Sequence, residues 1–130
     1  MRRIVIVLVV LLSVTGLLVG FGGPLGLNRD LARFLSLVHT WGGLLFLVMF
    51  PLYAWDHIRA NRRWLTALRL TTASGVLQSV SAALLMLSGL VLIAYGVQAW
   101  AFARSLHHWL TYAICVSVLL HTFARKDWRG

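Results

Sequence analysis

The chain has 130 residues, of which 60% are apolar and 12% charged, about half the charged share of a soluble domain, and that excludes a water-soluble globule. The net charge of +9, from 12 Lys and Arg against 3 Asp and Glu, does not describe a nucleic-acid-binding face, because the charges cluster between long uncharged runs as membrane topology determinants do. A single cysteine, Cys115, excludes an internal disulfide, a thiolate zinc site, a cysteine-ligated iron-sulfur cluster and the C-x-x-C-H attachment of a c-type haem.

Ile4 to Phe21 carries no charge over eighteen residues, and Phe34 to Trp55 none over twenty-two. Each run is long enough to cross a hydrocarbon core of roughly 30 Å at about 1.5 Å per residue. Leu70 to Ala103 is uncharged over thirty-four residues, more than one span needs, so its central stretch Val76 to Val97 is the expected membrane part. Ser105 to Ala124 is the expected fourth span; histidines at 107, 108 and 121 lower its hydropathy but not its length. Gly22, Gly23, Pro24 and Gly26 mark the first break, the arginine-rich stretch Arg59 to Arg69 the second, and Gln98 to Arg104 a tight third. The expectation is an all-α integral membrane four-helix bundle in one domain, residues 1–130, with helices over about 4–22, 33–57, 74–98 and 104–124 and no visible repeat.

Orientation follows from the basic residues. With the N-terminus inside, Arg2, Arg3, Arg59, Arg62, Arg63, Arg69, Arg125, Lys126 and Arg129 share the inner side, against Arg29, Arg33 and Arg104 outside. Both termini are therefore expected inside. Trp55, Trp64, Trp100 and Trp128 fall near span ends, where amphipathic indoles sit. The opening Met-Arg-Arg and apolar run imitate a secretory signal, but Gly20 to Gly23 offers no A-x-A cleavage pattern, so the segment reads as a retained first helix.

Imidazoles inside a bilayer are costly and face the bundle interior. His39 and His57 bracket the second span eighteen residues apart, five full helical turns, which puts both on one face. His107 and His121 are fourteen apart on the fourth span, roughly 40° from perfect alignment, and also share a face. His108 lies roughly 140° off that face, which makes it the poorer member of the adjacent pair and the alternate to His107. The second and fourth spans run in the same direction, so His39 meets His107 near the outer surface and His57 meets His121 near the inner one. Two facing imidazoles at one depth make an axial pair for a haem iron, and two such pairs make two b-type haem sites. The sequence holds no glutamate, and Asp30, Asp56 and Asp127 lie in loops or at helix ends, so a His-carboxylate metal centre is poorly supplied. His57, beside Asp56 and the arginine cluster, also has a plain reading as an interfacial side chain.

Gly42 and Gly43, a turn after His39, and Ser88 with Gly89 on the third span offer room for a porphyrin, although small residues also serve close helix packing. Ser36, three residues before His39, and Ser117, four before His121, are candidate acceptors of the ring N–H groups, as is a backbone carbonyl. Arg33 and Arg104 outside, and Arg59, Arg62 or Arg125 inside, are placed for haem propionates, and each singly is also explained as a topology determinant. Separations of about 27 Å for eighteen residues and about 21 Å for fourteen make the two pairs level only if the second helix tilts or kinks, for which Pro51 is the candidate.

His39-Thr-Trp-Gly-Gly, Asp56-His57-Ile58, Asn61-Arg62-Arg63-Trp64, His107-His108-Trp109-Leu110 and His121 before Asp127-Trp128 together resemble a family of small bacterial membrane cytochromes, the flavinylation-associated cytochromes. The likeness covers the second to fourth helices. It implies a di-haem b protein of the bacterial cytoplasmic membrane, carrying electrons between the quinone pool or cytoplasmic side and a redox partner such as a flavoprotein or dehydrogenase; the haem edges near Trp41 or Trp109 are the first place to look for a quinone site. The histidine arrangement also looks like the haem-binding core of cytochrome b from quinol-oxidising complexes. Two alternatives stay open: a haem b anchor subunit of a dehydrogenase, and a haem-free helix bundle that carries a metal ion or assists assembly.

Overall fold

In hydrocarbon every backbone N–H and C=O must be satisfied within its own segment, and long uncharged runs meet that requirement as helices. A computed structural model describes residues 2–62, 70–98 and 100–126. Arg63, Trp64, Arg69, Asp127, Trp128 and Arg129 lie outside the described residues, as do the side chains of Asn61 and Arg125. The described residues form four helices, α1 (Arg2–Gly20), α2 (Arg29–Asn61), α3 (Leu70–Tyr95) and α4 (Ala101–Lys126), and contain no strand.

All four helices start before the ends expected from charge-free stretches. A backbone ladder tolerates charged side chains at its termini, so α2 starts at Arg29 rather than near 33 and α4 reaches Lys126. Asn28 caps α2, its Oδ1 accepting the Leu31 N–H at 2.8 Å, and Asp30 favours the positive end of the helix dipole. Helix α1 stops at Gly20, two residues short of expectation, and the chain turns through Gly26 at φ 64°. Helix α3 stops at Tyr95 instead of 98, because Gly96 takes φ 83° while its N–H still reaches the Leu92 carbonyl at 2.9 Å. Pro51 lies inside α2, which continues through it to Asn61.

The chain divides into two compact units, residues 1–55 and 56–130. In the first, α1 lies antiparallel to α2. Thr15 bonds to His39, and a Cβ placed on Gly42 would lie 3.2 Å from Leu12 Cδ2, so the backbones approach closely there. That register sets Leu8 level with Phe46, and both are buried. In the second unit α4 returns antiparallel along α3, with Ser88 bonded to His107 and Ser74 to His121. Ser81 and Ile114 fall level midway between those two pairs, and both are buried. In the second hairpin the two bonded pairs lie fourteen residues apart on each helix, two seven-residue repeats, the period of left-handed supercoiled packing.

Among the described residues three helices are long and apolar enough to cross a membrane: Arg2–Gly20, Arg29–Ala60 and Thr72–Tyr95. Their outward apolar side chains, Val7, Leu37, Val48 and Leu87 among them, are more than half exposed, a surface suited to hydrocarbon rather than water. Helix α4 is 26 residues long, about 39 Å, but its histidines and end charges keep it out of that group.

Candidate cofactor-binding site

Three of the five histidines are held by one local device. On each preceding helix a hydroxyl residue and the glycine after it face the ring, the hydroxyl bonding Nδ1 and the glycine lying against Cε1. For His39 these are Thr15, whose Oγ1 is 3.0 Å from Nδ1, and Gly16. For His107 they are Ser88 at 2.9 Å and Gly89, and for His121 they are Ser74 at 3.1 Å and Gly75. The glycines are needed at different closeness. A Cβ on Gly16 would sit 2.9 Å from His39 Cε1, on Gly89 3.4 Å from His107 Cε1, and on Gly75 3.7 Å from His121 Cε1.

The device explains how polar rings are tolerated on apolar helices. A buried imidazole N–H without a partner costs roughly 1–3 kcal/mol, and the adjacent helix supplies the partner at each of the three rings. Thr15, Ser74 and Ser88 are themselves buried. In each case the contact is made through Nδ1 of the ring.

The partners differ from those expected within the same helix. Ser117 is fully buried and gives its hydroxyl proton to the Ile114 carbonyl at 2.9 Å, while His121 takes Ser74 from α3. His39 likewise takes Thr15 from α1, and Ser36 is exposed. A serine inside a helix readily bonds the carbonyl three or four residues back, which competes with any ring further along its own helix.

The remaining residues singled out from the sequence are placed as follows. His57 and His108 have exposed side chains, whereas His39, His107 and His121 are half-buried. Gly42 packs on Leu12, but a Cβ on Gly43 would meet nothing within 4 Å, so open space adjoins α2 one turn past His39. Ser88 and Gly89, expected to make room, instead grip His107. Arg33, Arg59 and Arg62 are exposed and Arg104 is half-buried. Trp41 and Trp109 are 68% and 72% exposed, and Trp109 meets Tyr112 edge-on with ring centroids 5.9 Å apart.

Sequence reasoning missed Thr15, Ser74 and their glycines, although a signal was present. Ser74-Gly75 and Ser88-Gly89 are fourteen residues apart, the same interval as His107 and His121. A short repeat was also passed over. Thr15-Gly16-Leu17 with His39-Thr40-Trp41 matches Ser88-Gly89-Leu90 with His107-His108-Trp109, so both hairpins carry a hydroxyl-Gly-Leu followed by His-x-Trp. Comparison with protein-family models, curated proteins and solved structures finds no match.

Proposed function

We propose that this chain is a b-type cytochrome that carries electrons across a bacterial cytoplasmic membrane, using His39, His57, His107 and His121 as axial ligands to two haems. The observation that carries the proposal is the repeated hydroxyl-glycine device, which orients three imidazoles through Nδ1, each against a helix long and apolar enough to cross a membrane. Metal-ligating histidines are typically held this way, by a partner on the nitrogen that does not bind the metal.

The donor set fits a haem. Among the described residues no three His, Cys, Asp or Glu side chains gather as a metal site, whereas a b-type haem asks the protein for only two imidazoles. When bound, haem supplies one-electron chemistry, and the protein's part is to hold, orient and insulate. Thr15, Ser74 and Ser88 hold the rings. Glycines 16, 75 and 89 let the helices approach them, and Arg33 and Arg104 are the candidates for pairing with propionates.

Helix α4 is proposed as a fourth span with both termini inside. It packs antiparallel to α3 from His107 to His121, so it is carried to the same depth as a helix that is itself apolar enough to cross. The donor is then the quinone pool or a cytoplasmic reductant, and the acceptor an external partner such as a flavin-bearing protein, as the resemblance to flavinylation-associated cytochromes implies.

A reduced-minus-oxidised spectrum of the detergent-purified chain tests the proposal. Sharp low-spin bands on reduction are the expected result. A featureless difference spectrum from folded protein expressed with ample haem supply would overturn it and leave the metal-carrier alternative.

A further inference from the structure

We infer that Thr15, Ser74 and Ser88 are positioning residues that fix the tautomer of His39, His121 and His107, each hydroxyl accepting the Nδ1–H of its ring, and that each thereby sets the midpoint potential of the haem its histidine holds. The second clause rests on the cytochrome proposal; the first does not.

A hydroxyl bonded to a histidine has two options. It donates to Nδ1, which leaves the proton on Nε2 and blocks ligation there, or it accepts from Nδ1–H, which leaves the lone pair on Nε2. The surroundings of the hydroxyls decide between them. Thr15 Oγ1 has one proton and lies 2.7 Å from the Leu11 carbonyl, inside the ordinary range for an O–H···O bond. A carbonyl is only an acceptor, so the proton goes there, and the contact with His39 Nδ1 at 3.0 Å is made by the ring N–H donating to Thr15, while the same ring also bonds the Leu12 backbone. Ser88 repeats the pattern, donating to the Leu85 carbonyl at 3.1 Å while His107 Nδ1 stands 2.9 Å away. Ser74 occupies the matching register position two seven-residue repeats earlier on α3, facing His121 at 3.1 Å, and is assigned the same role.

The arrangement takes the place of the carboxylate that commonly orients a ligating histidine. A hydroxyl whose own proton is committed to its helix is a neutral acceptor, so it fixes the ring without placing a charge in the bilayer. Accepting the Nδ1–H makes the imidazole a stronger donor and favours oxidised iron. Loss of the hydroxyl therefore raises the midpoint potential. Ser74 and Ser88 face histidines fourteen residues apart, about 21 Å along the helix, so each acts on a different haem.

Two measurements test this. The first is the imidazole 15N spectrum of histidine-labelled, haem-free full-length protein in detergent, assigned with the single variants Thr15→Ala, Ser74→Ala and Ser88→Ala. The inference expects His39, His107 and His121 as Nδ1–H tautomers, with the affected ring losing that preference in each variant. Nε2–H tautomers in the unaltered chain would overturn it. The second is a potentiometric titration of the haem-loaded protein. Ser88→Ala is expected to shift one haem positively and Ser74→Ala the other, with Ser88→Thr restoring the original value because it keeps the hydroxyl.

A uniform shift of both haems in either variant, or no shift in any, would overturn the potential-setting role. A chain that takes up no haem refutes that role together with the cytochrome proposal, and the nitrogen spectrum still decides the tautomers. Should an alanine variant fail to fold, the unaltered chain still decides the tautomers, and Ser74→Cys and Ser88→Cys, which replace the hydroxyl with a weaker acceptor of similar size, supply the positive shift of one haem each.

Discussion

Among the described residues the hydroxyl-glycine device meets His39 in the hairpin of α1 and α2, and both His107 and His121 in the hairpin of α3 and α4. The difference lies in register. On α4 the histidines are fourteen residues apart, two full seven-residue repeats, so the second falls on the same packing seam as the first and meets a serine at the same relative position on α3. On α2 the residue fourteen beyond His39 is Tyr53, and His57 lies a turn further with its side chain exposed. Spacing that aligns two residues on an ideal straight helix is thus a different requirement from spacing that keeps both in a helix-helix seam, because a packed pair repeats every 3.5 residues rather than 3.6.

The largest expected effect breaks the comparison at its centre. His107→Ala should remove one haem and halve the haem content, while His108→Ala, altering an exposed neighbour, should leave both; haem quantified against protein after purification reads the difference. The reverse result would transfer the ligand role to His108.

A smaller effect is expected from Gly16→Ala. The new Cβ falls 2.9 Å from His39 Cε1, so the ring must leave its place against Thr15. Losing that hydrogen bond costs about 1 kcal/mol, roughly a five-fold weaker retention of the haem on His39. The helix itself gains up to about 1 kcal/mol from alanine, so thermal stability of the haem-free chain should not fall. Haem loss during dialysis against apomyoglobin, set beside a melting curve, separates the two. Gly89→Ala, at 3.4 Å, calls for a shift of a few tenths of an ångström and should weaken retention at His107 about two-fold, less than one hydrogen bond. Gly75→Ala, at 3.7 Å, makes an ordinary contact and should change nothing measurable.

Ser117→Ala sharpens the comparison through the absence of an effect. Its hydroxyl is committed to Ile114, so haem content and the spectrum of the His121 site should match the unaltered chain. A selective loss of that haem would mean that the partner on α4 matters more than Ser74 on α3.

Much of this architecture was legible in the sequence. Charge-free runs located the helices because the hydrophobic requirement is written residue by residue, and the break at Gly22 to Gly26 is written in glycine, whereas Gly96, which ends α3 ahead of the expected break at Gln98, was not read as a stop. The histidines stood out because a polar ring on an apolar helix demands a reason. What could not be read directly was the partner of each ring. Ser117 and Ser36 are near their histidines along the chain, but Thr15, Ser74 and Ser88 are near them only after two helices pack, and antiparallel register is a property of the pair. The matching fourteen-residue intervals on α3 and α4 encode that register, and become meaningful once the two helices are laid side by side.

The most direct test of the central claim is the haem-to-protein ratio of the purified chain, measured by pyridine haemochrome against amino-acid analysis, for the unaltered protein and for His107→Ala and His121→Ala. Two b-type haems per chain, falling to one in each variant, is the expected result. A ratio of zero, or one that neither substitution alters, would contradict the assignment of these imidazoles as ligands.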